Sequence, residues 1–256
     1  CSELDRVSPA LGSPSTPEGS LSEDLSDGIF APDRFDDADH RRFAVRDVAA
    51  LREHSNNRVA SALLEFPTAK ARQGFGLNPD AIEAFARYRP TEILVGSFSK
   101  SEIVSSYRED DWTVTDSYHG FEEIRHPERP GYASGVGDGV IVNTARAREI
   151  SVGELVRAHA EAFAGETDRY RDDPDMAELL SVIGGGEYVS AITRPLDLSK
   201  QLQYTRAVGR SLEMTADGVA ETMAFVFDES APRSPTAYVE EWAAEATGSR
   251  PDGPSE

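Results

Sequence analysis

The sequence has little cysteine and no long apolar run. Cys1 is the only cysteine among 256 residues, which excludes an internal disulfide and any metal site built from several cysteines. No uninterrupted apolar segment approaches the roughly 20 residues that a membrane-spanning helix needs. The sequence also lacks a Gly-x-Ser-x-Gly elbow, which marks a serine nucleophile. It therefore predicts neither a transmembrane helix nor a recognisable catalytic motif.

The charge balance is strongly acidic. Aspartate and glutamate number 46 against 26 basic residues, and the formal net charge is −20. This charge repels nucleic acid and anionic lipid over most of the surface, so we expect no nucleic-acid partner. The acids are spread along the whole chain, which indicates a hydrated acidic surface rather than an interaction tail.

Lysine is scarce among the basic residues. There are three lysines, Lys70, Lys100 and Lys200, and 23 arginines. The acid excess and the scarcity of lysine together resemble the proteins of salt-loving archaea. Carboxylates at this density repel one another in dilute buffer, whereas 1 M salt shortens the screening length to about 3 Å. A GC-rich genome alone favours arginine over lysine, but it does not explain a surplus of 20 acids.

Cys1 leads into a segment rich in serine, proline and glycine, and we predict that residues 1–28 form a flexible tether. An N-terminal cysteine can also be the nucleophile of an amidohydrolase, but it must then begin a buried strand. A cysteine before such a tether resembles mature prokaryotic lipoproteins. The resemblance implies a removed signal peptide, a lipid on Cys1, and a place at the extracytoplasmic face of the cell membrane.

The rest of the chain predicts an α+β fold, mostly an antiparallel sheet with packed helices. The globular domain is predicted over residues 43–247, followed by a disordered polar tail over 248–256. Capping boxes at Ser99 and Ser151 predict helices after them. Asp-Gly pairs at 138–139 and 217–218 predict hairpins. The predicted strands are 91–98, 112–115, 120–125, 132–136, 140–143, 187–193, 208–215 and 219–227.

Four further segments carry helical patterns. Residues 43–66 suggest helical or mixed structure with a break at Asn56-Asn57. Asn78-Pro79 offers a cap and a first-turn proline for a short helix that buries Ile82 and Phe85. Pro174 and Ser234 each precede apolar residues at helical spacing.

Two stretches, residues 79–164 and 187–247, follow a similar order of strand, hairpin and capped helix. They are compatible with a divergent duplication of an α+β unit. The alternative is that hairpins and capped helices recur in any fold of this class.

Glycines and histidines do not define a ligand site in the sequence. Gly135–Gly139 contains the spacing of a phosphate loop, but a strand follows where such a loop needs a helix, so we interpret it as a hairpin turn. The five histidines show no pair at i,i+4, and the aspartate clusters lack the glycine and distal glutamate of a calcium loop. We predict no metal site and no cofactor.

Aromatic residues around a predicted turn form the one candidate binding feature. Trp112, Tyr118 and Phe121 lie close in sequence to His119 and could form a binding lip, because exposed aromatics mark interfaces. The alternative is that they close one end of the core.

These patterns lead to two hypotheses about function. The chain as a whole is similar to surface lipoproteins of halophilic archaea, which implies a location but no activity. The first hypothesis is a lipid-anchored extracytoplasmic binding or structural module of the cell envelope, attached to the membrane through Cys1. The alternative is an extracytoplasmic hydrolase whose site residues converge only in the fold. Neither hypothesis identifies the protein or small molecule that this chain would bind.

Salt dependence tests the halophilic hypothesis. We expect the isolated domain, residues 43–247, to unfold cooperatively in molar KCl and to lose structure in low salt, because unscreened carboxylates repel one another. Circular dichroism melts in the two buffers measure this. Equal melting temperatures would contradict the hypothesis.

Overall fold

The structure is a computed structural model, and it describes residues 28–29, 31, 41–88, 90–145, 150–193, 204–215, 218–231 and 234–246. The predicted tether before Gly28, with Cys1, lies outside the described residues. So do the predicted tail and Asp217 of the second predicted hairpin turn.

Ten strands form one antiparallel sheet in the order β10-β9-β8-β1-β2-β3-β7-β6-β5-β4. Every neighbouring pair in this order is antiparallel. The strands are β1 (Arg41–Asp47), β2 (Ile82–Tyr88), β3 (Thr91–Gly96), β4 (Thr113–Tyr118), β5 (Phe121–Arg125), β6 (Tyr132–Gly137), β7 (Val140–Ala145), β8 (Tyr188–Thr193), β9 (Thr205–Thr215) and β10 (Gly218–Phe227).

The part of the chain that the structure describes contains six α-helices. They are α1 (Val48–Glu53), α2 (Arg58–Phe75), α3 (Lys100–Glu109), α4 (Val152–Ala164), α5 (Pro174–Ile183) and α6 (Pro235–Ala246). Short 3-10 turns are formed at Pro79–Ala81 and Tyr170–Asp172. The predicted α+β class with a mostly antiparallel sheet is confirmed.

Helices cover both faces of the sheet. On one side, here called the α4 face, Leu155 of α4 and Leu179 of α5 share a core cluster with Val45 and Val142. On the other, the α2 face, Phe75 of α2 and Tyr107 of α3 pack with other buried residues of the sheet. Because side chains alternate along a strand, β2, β3, β5 and β7 each contribute to both cores.

Side-chain caps set the helix ends where the sequence predicts them. The Ser151 hydroxyl accepts a hydrogen bond from the Glu154 amide, and the Glu154 carboxylate accepts one from the Ser151 amide. Ser99 caps α3, which buries Ile103, Val104 and Tyr107. Asn57 caps α2, so the predicted break at Asn56-Asn57 is confirmed. Each such cap contributes about 1 kcal/mol to helix stability.

The predicted helix after Asn78 is wrong. Asn78 does cap a turn, but only Pro79–Ala81 is helical, and strand β2 begins at Ile82. A β-bulge between Ile82 and Ala84 shifts the register against β3. It places Ile82 and Phe85 in the same buried cluster on the α2 face. A spacing of three residues is typical of one face of a helix, and here the bulge produces the same spacing within a strand.

The first predicted hairpin is confirmed at Asp138-Gly139. Gly137 pairs with Val140 across the turn, and Gly139 has a φ of 69°. That left-handed conformation favours glycine. A strand follows the glycines, which excludes a helix N-terminus for phosphate at this position.

The two similar stretches, residues 79–164 and 187–247, differ in how their strands pair within the sheet. In the first, β3 pairs with β7, the second arm of its hairpin. In the second, β8 pairs with β9, the first arm. All of these strands belong to one continuous sheet, and the strand order does not repeat from one stretch to the other.

The packed chain begins before the predicted start of the domain at residue 43. Ile29 is 1% exposed and belongs to the core on the α4 face. The Tyr170 amide donates to the Ile29 carbonyl, and the Ala31 amide donates to the Asp168 carbonyl. The chain therefore docks onto the domain where the predicted tether ends.

Candidate functional site

A polar cleft lies where α4 begins above the β4–β5 hairpin. Its volume is about 240 Å³, and side chains of both charges line it: Thr115, Asp116, Glu123, Arg125, Ser151, Gly153, Glu154 and Arg157. The cleft is on the α4 face, near the edge of the sheet formed by β4 and β5.

Glu123 forms the buried floor of the cleft. Alternation along β5 directs Glu123 and Arg125 to the α4 face, beside the buried ring of Phe121. Glu123 is 3% exposed. Its carboxylate accepts hydrogen bonds from the Tyr118 hydroxyl at 2.9 Å and the Thr115 hydroxyl at 3.3 Å, and a charged one from Arg125 Nε. These donors compensate the loss of water around a buried charge.

A β-bulge forms the rim of the cleft. Glu123 pairs with Asp116 and Ile124 with Val114, so Thr115 is the extra residue on β4. Asp116 forms an ion pair with Arg157 of α4 at 3.1 Å. The Arg157 guanidinium lies 5.1 Å from the centre of the Tyr118 ring. The bulge thus brings a hydroxyl and a carboxylate of β4 towards the same end of α4.

Tyr118 is held as a hydrogen-bond donor. Burial raises the pKa of Tyr118 above its ordinary range, the Glu123 charge raises it further, and Arg157 opposes both. A raised pKa keeps the phenol protonated, so its hydroxyl donates to the Glu123 carboxylate over the pH range in which proteins work.

The first turn of α4 approaches the floor closely because residue 153 is glycine. A Cβ atom at Gly153 would lie 2.2 Å from Arg125 Nη2 and 3.2 Å from Glu123 Oε1. Any larger residue would displace the Arg125 side chain. Glu154 is exposed, and its hydrogen bonds with Ser151 lower its pKa, which keeps a negative charge at the mouth of the cleft.

The four residues of the predicted lip do not form one surface. Tyr118 contacts the floor of the cleft. His119 lies in the β4–β5 turn, with φ 48° and Nδ1 3.1 Å from the Glu166 carboxylate. Phe121 is buried and stacks on Phe163. Trp112 packs near Tyr107 and His126 in the core of the α2 face.

The alternative, that these aromatic residues close one end of the core, therefore applies to Trp112 and Phe121, which pack in the core. Of the four residues, only Tyr118 contacts a side chain that lines the cleft floor. The other predicted site residue, Cys1, lies outside the described residues.

Sequence reasoning missed most of the cleft. Adjacent residues on a strand point to opposite faces, so Glu122 and Glu123 do not act together as an acid–base pair. Glu123 and Arg125, two residues apart, share a face of the predicted strand, and this spacing is a signal for the floor of the cleft. Gly153 and Arg157 carry no such signal. Their role depends on where α4 crosses the hairpin.

Within the described ranges, no group of three histidine, cysteine, aspartate or glutamate side chains is arranged to hold a metal ion. Among the same residues, no helix combines the length and the apolar character needed to cross a membrane.

Comparisons with known proteins add a distant structural likeness. No family model matches the chain, and a comparison with curated proteins gives no match. Among solved structures, crystal form III of TP0453, a Treponema protein, has a TM-score of 0.45 and 11% identity, covering 85% of this chain and 85% of that one. Crystal form I of TP0453 has a TM-score of 0.47 and 11% identity, covering 86% and 84%.

Removal of the Tyr118 hydroxyl tests the floor of the cleft. We expect Tyr118→Phe to lower the free energy of unfolding by about 1–3 kcal/mol, because Glu123 stays buried with one donor fewer. Urea denaturation in KCl measures this. Tyr132→Phe is the matched control, since Tyr132 is 51% exposed, and it should change stability by less than about 0.5 kcal/mol. Equal effects of the two substitutions would contradict this arrangement.

Proposed function

We propose that the protein is a lipid-anchored module of the cell envelope of a halophilic archaeon. A lipid on Cys1 holds it at the extracytoplasmic face of the membrane, and the cleft beneath α4 binds a small polar molecule. The observation that carries the binding role is the prearranged set of charges around Glu123.

The ligand best matched to the cleft carries both a positive and a negative group. Arg125 and Arg157 offer guanidinium donors, and Asp116 and Glu154 offer carboxylate acceptors, all lining one space of about 240 Å³. That volume lies below the range of about 300–1,000 Å³ typical of drug-sized ligands, so it suits a smaller molecule. A small zwitterion, such as an amino acid, carries charges complementary to both kinds of group.

The contacts around Glu123 favour binding over catalysis. Tyr118, Thr115 and Arg125 all donate to this carboxylate, so its orientation is set before a ligand arrives. Preorganised groups lose little entropy on binding. The hydroxyl of Ser151 also lines the cleft, but it caps α4 by accepting the Glu154 amide. A serine nucleophile instead needs an adjacent general base.

The anchor and the site are compatible in space. The chain docks onto the α4 face at Gly28 and Ile29, beside α4 and the Tyr170 turn. From Cys1 to this point the chain spans at most roughly 90 Å when extended. Such a length would let the domain stand away from the membrane surface with the cleft open to the outside. The net charge of −20 supports a protein adapted to strong salt.

A ligand panel tests the cleft. We expect calorimetric titration of the full chain to detect alanine, a zwitterion, but not acetate, methylammonium or glucose, because only alanine presents both charges. Asp116→Asn should weaken alanine binding at least about fivefold through loss of a charged hydrogen bond. Asp110→Asn is the matched control, because Asp110 follows α3 and does not line the cleft. Equal binding of glucose and alanine, or equal effects of the two variants, would overturn the proposal.

Membrane fractionation tests the anchor separately. We expect Cys1→Ser to move the protein from the membrane fraction to the supernatant without changing its melting temperature, because the lipid would attach only to that cysteine. Ser13→Ala, in the same predicted tether, should stay with the membranes. Recovery of Cys1→Ser in the membrane fraction at the wild-type level would refute the lipid anchor.

A further inference from the structure

Arg46 lies between two aromatic rings on the α2 face, away from the cleft. It pairs in register with Phe85 of β2 on one side and with Tyr188 of β8 on the other. Its guanidinium carbon is 5.5 Å from the centre of each ring. The rings hold the guanidinium plane and remove much of its water.

The buried nitrogens of Arg46 have no hydrogen-bond partner. Nε and Nη1 are both inaccessible, and no protein acceptor lies within bonding distance of either. Burial lowers the pKa of Arg46, and the nearby charge of Arg87 lowers it further, while Tyr188 opposes these effects. Unsatisfied buried donors are costly, so the Arg46 side chain lacks the stabilisation that a partner of opposite charge would give.

Arg87 is the second cation at this position. It pairs with Ala44, two residues along β1 from Arg46, so the two arginines are diagonal neighbours on one face. Arg87 is exposed, and its guanidinium lies 5.3 Å from the centre of the Phe66 ring. Glu92 pairs with Arg87 across β3, but its carboxylate is held by Lys70 at 2.8 Å.

This pair differs from other arginines of the sheet. Arg125 and Arg210 each have a carboxylate within 4 Å. Among the residues that the structure describes, none supplies a carboxylate at that distance to Arg46 or Arg87, although the chain has 46 acidic residues. Two neighbouring cations that repel each other, each stacked on aromatic rings, lack the charge that would stabilise them.

We propose that Arg46 and Arg87 form a binding site for one oxyanion, a phosphate or a carboxylate group. A guanidinium presents paired N–H donors whose spacing matches two oxygens of such a group. An oxyanion between the two would accept from Nη2, the Arg46 nitrogen that is not enclosed, and from the Arg87 guanidinium, and it would compensate the repulsion between the two cations. The site is on the opposite face of the sheet from the cleft and is independent of the function proposed for it.

Titration of the full chain with two oxyanions tests this site. Potassium phosphate and potassium acetate each replace KCl at constant ionic strength, and the melting temperature and calorimetric heats are followed. We expect a saturable rise in melting temperature with at least one of the two ions in the wild type. The ion that acts identifies the group: phosphate alone indicates a phosphate ligand, and acetate alone a carboxylate ligand.

Arginine variants localise the effect. Arg87→Gln should weaken binding of the active ion about tenfold, as loss of one charged hydrogen bond predicts. Arg42→Gln is the matched control, because Arg42 is an exposed arginine on the same face of β1, and it should bind like the wild type. Arg46→Lys keeps the charge but loses the paired donors, and it should also bind more weakly.

Three results would overturn the proposal. These are a wild type in which neither ion gives a saturable shift, an equal loss in Arg42→Gln and Arg87→Gln, and undiminished binding in Arg46→Lys. Because Arg87 is exposed, its substitution leaves the fold intact even if a change at the half-buried Arg46 does not.

Discussion

The sheet has to be covered on both faces, and the rest of the molecule depends on this constraint. Strands such as β2 and β3 bury residues on each side, so helices must pack on each side to keep them from water. Helices α4 and α5 supply one layer, and helices α1 to α3 supply most of the other. Even the docked Ile29 serves this purpose, since it adds to the core of the α4 face. The cleft lies where the first turns of α4 meet β4 and β5 in this layer.

Within this acidic chain, the few charges inside the structure take their properties from their neighbours. Glu123 is buried with a complete set of donors, and a glycine at position 153 lets α4 approach it. Arg46 is half-buried between aromatic rings, and two of its nitrogens have no protein acceptor. The first arrangement is internally compensated and rigid. The second has an unbalanced charge, which is why we propose an anion as its ligand, whereas for the cleft we propose a molecule that carries both charges.

Local interactions explain which elements the sequence predicts well. Ser151 with Glu154, and Gly139 with its positive φ, act within a few residues of chain, so the helix start and the hairpin turn follow from their spacing. Ile82 and Phe85 predict a helix that does not form, because a bulge against β3 places two residues three apart on one face of a strand. Trp112 and Tyr118 are close in the chain but pack on opposite faces of the sheet, so closeness in sequence predicted a lip that does not form.

The sequence by itself determined the class of fold, the caps and turns that begin and end its elements, and the excess of acidic charge. The tertiary structure alone decided the strand order, the cleft at Glu123, and the position of Arg46 diagonal to Arg87. The physical reason is the range of the interactions. A cap or a tight turn is stabilised within one short segment, whereas β1 gains its partners from β2 and from β8, far along the chain. Only when those strands pair do separated side chains meet.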